Sequence, residues 1–147
     1  VLGRAELYRW LSVLLTASGS GRKASRALQE VSLARARLLE LLAPAAAAPP
    51  AALFTVGLLS MLDALLQVPL ADALAPLQIA EAAREAIVEQ RGPWWPLLQL
   101  AIAVERHELA AAEPLAAAHG GLDAVLARAE AAWAWSAELS RSHVAGA

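Results

Sequence analysis

The chain has 147 residues, 59% of them hydrophobic but only 5% aromatic, with no cysteine and a net charge of −2 at pH 7. That length makes one modest domain able to bury most of its apolar surface, and without cysteine no disulfide contributes to its stability. A pI near 5.9 and the lack of clustered base-reading aromatics argue against nucleic acid as a partner. A core of Leu, Ala and Val favours helix over strand, so the expected fold is all-α.

In chain order, a first helix is expected over residues 4–17, stopping in the Ser18-Gly19-Ser20-Gly21 turn. Gly19-Ser20-Gly21-Arg22-Lys23 lacks the full spacing of a P-loop and follows a predicted helix rather than a strand, so it reads as a connector. Its two basic residues could still meet an anion at the start of the next helix. That helix covers 25–42. An Ala-Pro-rich connector over 43–50 follows, with Pro50 placed to start a third helix over 51–67. A short helical turn at 70–74 precedes Pro76. A fourth helix covers 79–90 and is broken by Arg91-Gly92-Pro93. The fifth, 94–111, tolerates Pro96 in its first turn, and Gly120-Gly121 separate it from a sixth over 122–140. Residues 141–147 are expected to fray.

The helix over 51–67 is apolar all round and should be the central one of about six helices in a compact bundle. The uncharged stretch 43–62 is broken by Pro44, Pro49 and Pro50, which leaves too few helical residues for the roughly 20 a membrane span needs. No secretory signal is visible. The absence of cysteine suits a reducing compartment, and with these features the expectation is a cytoplasmic protein without membrane insertion. Because the chain opens at Val1 directly on helical sequence, it is expected to be a piece of a longer protein.

Charge is unevenly placed: residues 1–42 carry seven basic and three acidic side chains, net +4, and the remainder is net −6. A helical wheel of 25–42 puts Arg26, Glu30, Arg37 and Glu40 on a polar face but Arg35 on the apolar one, beside Val31, Leu38 and Leu39. Asp63 is the one charge of the central helix, and Glu105 falls in the stripe of Leu98, Ala101, Ile102 and Leu109. Buried charges are costly unless paired, so Arg35 is expected to bridge Asp63, Glu105 or both, or else to extend its head to water from the rim. The sharper alternative makes Asp63 and Glu105 a catalytic dyad.

Metal and nucleophile chemistry find little support in the residues. No two of His107, His119 and His143 are spaced to share a helical face, and Ala111 stands where a zinc-protease motif starting at His107-Glu108 would need its second His. All three imidazoles are expected on the surface or at caps. With no cysteine and no Ser or Thr beside a positioned base, no nucleophile is nominated. Neither a metal site nor a cofactor is expected. Trp133 and Trp135 lie about 200° apart on a wheel, so one should be exposed or at an interface. Trp94 and Trp95 raise the same question, since Trp is favoured at interface hot spots.

Several short motifs occur in a telling order: Leu2-Gly3 with Leu7, Arg9 and Trp10; Ala34-Arg35-Ala36-Arg37 with Glu40-Leu41-Leu42; residues 57–66; and Gly92-Pro93 with Leu97-Leu98 and Glu105. Together they resemble the HDOD domain, the HD-related output domain of bacterial signalling proteins, and most nearly the variety attached to EAL domains of cyclic di-GMP signalling. The resemblance implies an HD-like helical bundle whose metal ligands have been replaced. Val31 stands in the place of a first His, and Ser60 and Met61 in the place of the His-Asp pair. Metal-dependent phosphohydrolysis is then not carried over. The family's upstream helices and the Glu-Ala-Leu signature are missing, so the chain is expected to be a single domain, the C-terminal portion of an HDOD domain. Apolar surface exposed by that loss would promote homodimers. The resemblance thus implies a non-catalytic signal-transduction domain that binds a protein partner or a neighbouring signalling domain. The alternative is a divergent HD-type phosphohydrolase acting on a nucleotide or phosphoester through Asp63 and Glu105, with a polar pocket between the helices over 25–42, 51–67 and 94–111.

Overall fold

In the computed structural model, the backbone of residues 22–145 and the side chains of 26–141 are described, so the helix expected over 4–17 and the Gly-Ser connector before residue 22 lie outside the described residues. The fold is all-α, and no strand occurs among the described residues. Helix α1 spans Arg22–Leu42 and presents Leu33, Ala36, Leu38, Leu39 and Leu42 to the core. A 3-10 turn at Ala43–Ala46 closes in the left-handed conformation at Ala47. Pro50 then occupies the first turn of α2, Pro50–Leu59, where its missing N–H costs no helical bond.

The expected continuous helix over 51–67 is in fact two. After α2 the chain breaks at Ser60 and Met61, and α3 resumes over Leu62–Leu66. Two local causes act together. The Ser60 hydroxyl donates to the Gly57 carbonyl at 2.7 Å, a back-bond that competes with the helical ladder, and Met61 takes φ −111°, ψ 9° in the bridge region. Helix α4 covers Leu70–Leu74. Helix α5 starts at Glu81 rather than 79 and runs to Arg84, and its continuation over Glu85–Glu89 widens into a π-turn before Gln90 ends it in the left-handed region.

The helix expected over 94–111 is also divided. Helix α6 spans Trp95–Glu105 and α7 spans Leu109–Ala116. Between them His107 adopts φ 59°, its N–H bonds to Val104 O at 3.1 Å, and the Glu108 N–H reaches back to Ala103 O at 2.8 Å. That is the Schellman pattern, with a histidine in the position usually given to glycine. A 3-10 turn at Ala117–His119 leads into Gly120 and Gly121, both at positive φ, and then into α8, Leu122–Ala145. The tail expected to fray from 141 therefore continues the last helix as far as Ala145.

Helix α1 packs against α2, α6 and α8. Its approach to α2 is governed by one residue. A Cβ built on Gly57 would lie 2.5 Å from Ala36 Cα and 2.7 Å from Ala36 N, so the two backbones touch where any larger side chain would hold them apart. Beside that contact the buried Ser32 hydroxyl donates to Leu58 O at 3.1 Å. On the α8 side, the buried Ser136 hydroxyl donates to Glu30 O at 2.7 Å. Phe54, Leu53, Val56 and Leu58 of α2 are almost wholly buried, as the apolar character of that segment requires. No helix among the described residues is long and apolar enough to cross a membrane.

Candidate functional site

The region singled out by the sequence lies at the α1–α2–α6 junction, where Arg35 crosses from α1 to its neighbours. Its side chain is only 9% exposed. Nε donates to Glu105 Oε2 at 2.9 Å and Nη2 to Glu105 Oε1 at 2.7 Å, a bidentate pair, while Nη1 donates to Ser60 Oγ at 2.9 Å. Each partner has a local reason to be there. Glu105 is the last residue of α6, where the Schellman turn fixes its direction and where the helix dipole disfavours a carboxylate unless a cation answers it. Ser60 sits at the break after α2, with its hydroxyl accepting from Arg35 while donating to Gly57.

Asp63 takes no part in this cluster. It is exposed in the first turn of α3, with Oδ1 accepting the Ala64 N–H at 2.8 Å. The expectation of a charge inside the central helix assumed an unbroken helix over 51–67, and the break at Ser60–Met61 turns Asp63 to solvent, where a carboxylate near a helix N-terminus is favoured. Asp63 and Glu105 are therefore not brought together as a dyad. The residue that composition and periodicity missed is Ser60, whose place in the cluster depends on the break.

Val31, Ser60 and Met61, the positions expected from the sequence resemblance to replace metal ligands, offer little to a divalent ion. Val31 offers no donor atom and packs half-buried against the core, Met61 contributes a thioether to that core, and the Ser60 hydroxyl is already committed to Arg35 and Gly57. Hard divalent cations take oxygen and imidazole ligands, and these three side chains leave none uncommitted. The one set of clustered carboxylates among the described residues is elsewhere, at Glu81, Glu85 and Glu89 along α5 and its π-turn. Arg91 answers it, at 3.5 Å from Glu85 and 3.0 Å from Glu89.

The histidines differ from one another. His107 is exposed, and the His143 side chain lies outside the described residues. His119, expected at the surface or a cap, is instead 7% exposed, and its Nδ1 has no hydrogen-bond partner. Burial, then the nearby Arg128 guanidinium, hold its pKa below the usual imidazole value; Arg128 is fixed there by donating to the His119 carbonyl at 2.7 Å. The unfolded chain thus takes up this proton more readily than the folded one. His119 should contribute full stability above about pH 6.5 and progressively less as the pH falls below it. Urea midpoints at about pH 7.5 and about pH 5.5 should show that loss, and His119→Gln should reduce it; an unchanged loss in the variant would assign the effect elsewhere.

The tryptophans also separate. Trp94 and Trp95 are half-buried against the core. Trp135 packs edge-on to Phe54, with ring centroids 6.2 Å apart and planes at 85°, and carries the Arg37 guanidinium 5.7 Å from its ring centre. Trp133, on the other side of α8, is 41% exposed. A narrow cleft lined by Arg35, Glu105, Ala101, Ala129 and Trp133 joins the charged cluster to this surface.

No protein-family model matches the chain, and no solved structure matches it. It is similar to the uncharacterized protein YuxH of Bacillus subtilis (strain 168), with 28% identity over 108 residues that cover 71% of this chain and 26% of that protein, so the chain spans about a quarter of that relative's length.

Proposed function

We propose that this chain is the C-terminal portion of an HDOD-like domain and works as a non-catalytic signal-transduction and protein-interaction module of a cytoplasmic bacterial regulator linked to cyclic di-GMP. One observation carries the reading. Ser60, in the position of an HD metal ligand, spends its hydroxyl on tying Arg35 of α1 to the end of α2, so the place of the metal chemistry is taken by packing and a charge pair. The similarity to a much longer Bacillus subtilis protein supports a role as one domain of a larger bacterial protein. A divergent phosphohydrolase would need Asp63 and Glu105 to act together, yet Asp63 is exposed and Glu105 is held in both oxygens by Arg35.

Elemental analysis of the purified chain, with turnover assays on cyclic di-GMP and (p)ppGpp in the presence of added manganese, tests this reading. The expected result is no stoichiometric metal and no turnover by wild type or Glu105→Gln. Turnover by the wild type that disappears in a folded Glu105→Gln variant would instead establish the hydrolase.

A further inference from the structure

Residues 123, 126, 127, 130 and 133 recur along α8 at the spacing that lines one face of a helix, and all are exposed except Leu126, which packs partly against the core. Against the end of α6 it forms an open groove of about 670 Å³, lined among others by Trp133, Leu126, Glu105, Asp123, Glu130 and His107. Trp133 supplies the largest exposed aromatic surface among the described residues, and it makes no ring or cation contact there, whereas Trp135 already carries Arg37. Asp123 and Glu130 are exposed and make no ion pair among the described residues. Glu105, although paired with Arg35, remains 22% exposed at the groove's edge. The lining thus joins an indole and aliphatic carbons to three carboxylates, with no Lys or Arg of its own.

From this charge complementarity we infer that the groove is a docking site for a polypeptide segment of a partner protein that carries Arg or Lys beside apolar residues. The inference deepens the interaction-module reading and rests on it, by naming the partner's chemistry. An apolar side chain of the segment would lie on Leu126 and the indole. Its cations would meet Asp123, Glu130 and the outer edge of Glu105, with one over the Trp133 ring in the manner of Arg37 on Trp135. A Trp in such a position is the kind of residue that dominates binding, since it combines a large contact area with little entropy to lose.

The test uses the full chain and three fluorescent peptides that share a Leu-Ala framework and differ in carrying Arg, Gln or Glu at the interspersed positions, read by anisotropy. The Arg peptide should bind at least about tenfold more tightly than the Glu peptide, and more weakly as salt is raised. Trp133→Ala should weaken it by about tenfold or more, as should Asp123→Lys combined with Glu130→Lys, while Val68→Ser, at an exposed site outside the groove lining, should leave it unchanged. Equal binding of the Arg and Glu peptides, no binding of the Arg peptide, or full binding by Trp133→Ala would overturn the inference. So would light scattering that shows a dimer dissolved by Trp133→Ala, because the occupant would then be a second copy of this chain. Parallel capture with the full-length protein separates the two readings. A partner held equally by wild type and Trp133→Ala ends the groove proposal but not the interaction module, whereas nucleotide turnover ends the module.

Discussion

Arg35→Leu should lower stability by about 3 kcal/mol, seen as a fall of roughly 10 °C in melting temperature for a domain of this size. The cost is not that of a surface ion pair, usually below about 1 kcal/mol. Arg35 is nearly buried, and its removal strips both carboxylate oxygens of Glu105 and one bond of Ser60 of their partner at once. Glu105 keeps some contact with water, which is why the expected loss lies at the lower end of the range for buried pairs. Arg35→Lys should fall between wild type and Leu, since an ammonium cannot make the bidentate fork. The double variant Arg35→Leu with Glu105→Leu should recover most of the loss, because the penalty comes from an unanswered charge rather than from the missing attraction. A melting temperature unchanged by Arg35→Leu would mean that the pair contributes nothing to the fold.

Gly57→Ala should be at least as damaging, and its sign is informative. In an exposed helix interior this substitution gains up to about 1 kcal/mol from helix propensity. Here the added methyl would stand 2.5 Å from Ala36 Cα and 3.0 Å from the Arg35 carbonyl carbon, so it meets the backbone of α1 rather than a side chain that could rotate away. Relief requires α1 and α2 to separate, which loosens the packing of Leu39, Leu53 and Phe54 and moves Arg35 relative to Ser60. A loss of about 3 kcal/mol or more, measured as a lower denaturant midpoint, is expected from overpacking of this severity. Ala36→Gly should not rescue the variant, because the contact is with Ala36 Cα and N and not with its methyl group. A Gly57→Ala chain more stable than wild type would show that the helices do not approach so closely.

These two residues belong to one arrangement. The absence of a side chain at Gly57 lets α1 lie against α2, and that approach puts Arg35 within reach of Ser60 at the end of α2 and of Glu105 at the end of α6. On the proposed reading, this close contact occupies the region that would hold a metal centre in an HD hydrolase. On the same reading, the surface that would meet a partner is the neighbouring α8 face around Trp133.

The amino-acid sequence by itself determined the helical class, since few aromatics and many Leu and Ala leave little to build strands from. It also determined the start of α2 at Pro50, the chain reversal at Gly120 and Gly121, and the misplaced charge Arg35, because a fixed φ, a positive φ and a cation in an apolar stripe are local properties. The periodicity of 51–67 and 94–111 concealed two breaks. The apolar run continues through Ser60–Met61, and the stripe of Leu98, Ala101, Ile102 and Leu109 spans the polar Glu105-Arg106-His107-Glu108, so the breaks show only in the bonds closed there, Ser60 to Gly57 and Glu108 to Ala103. Those breaks decided which acid Arg35 would meet: Glu105 is held at the end of one helix, and Asp63 is turned outward at the start of another. Packing, rather than these breaks, decided which tryptophan stays exposed. A wheel shows that Trp133 and Trp135 cannot both face the core, but only the packing of α8 against α1 and α2 covers Trp135 with Phe54 and Arg37 and leaves Trp133 open to solvent.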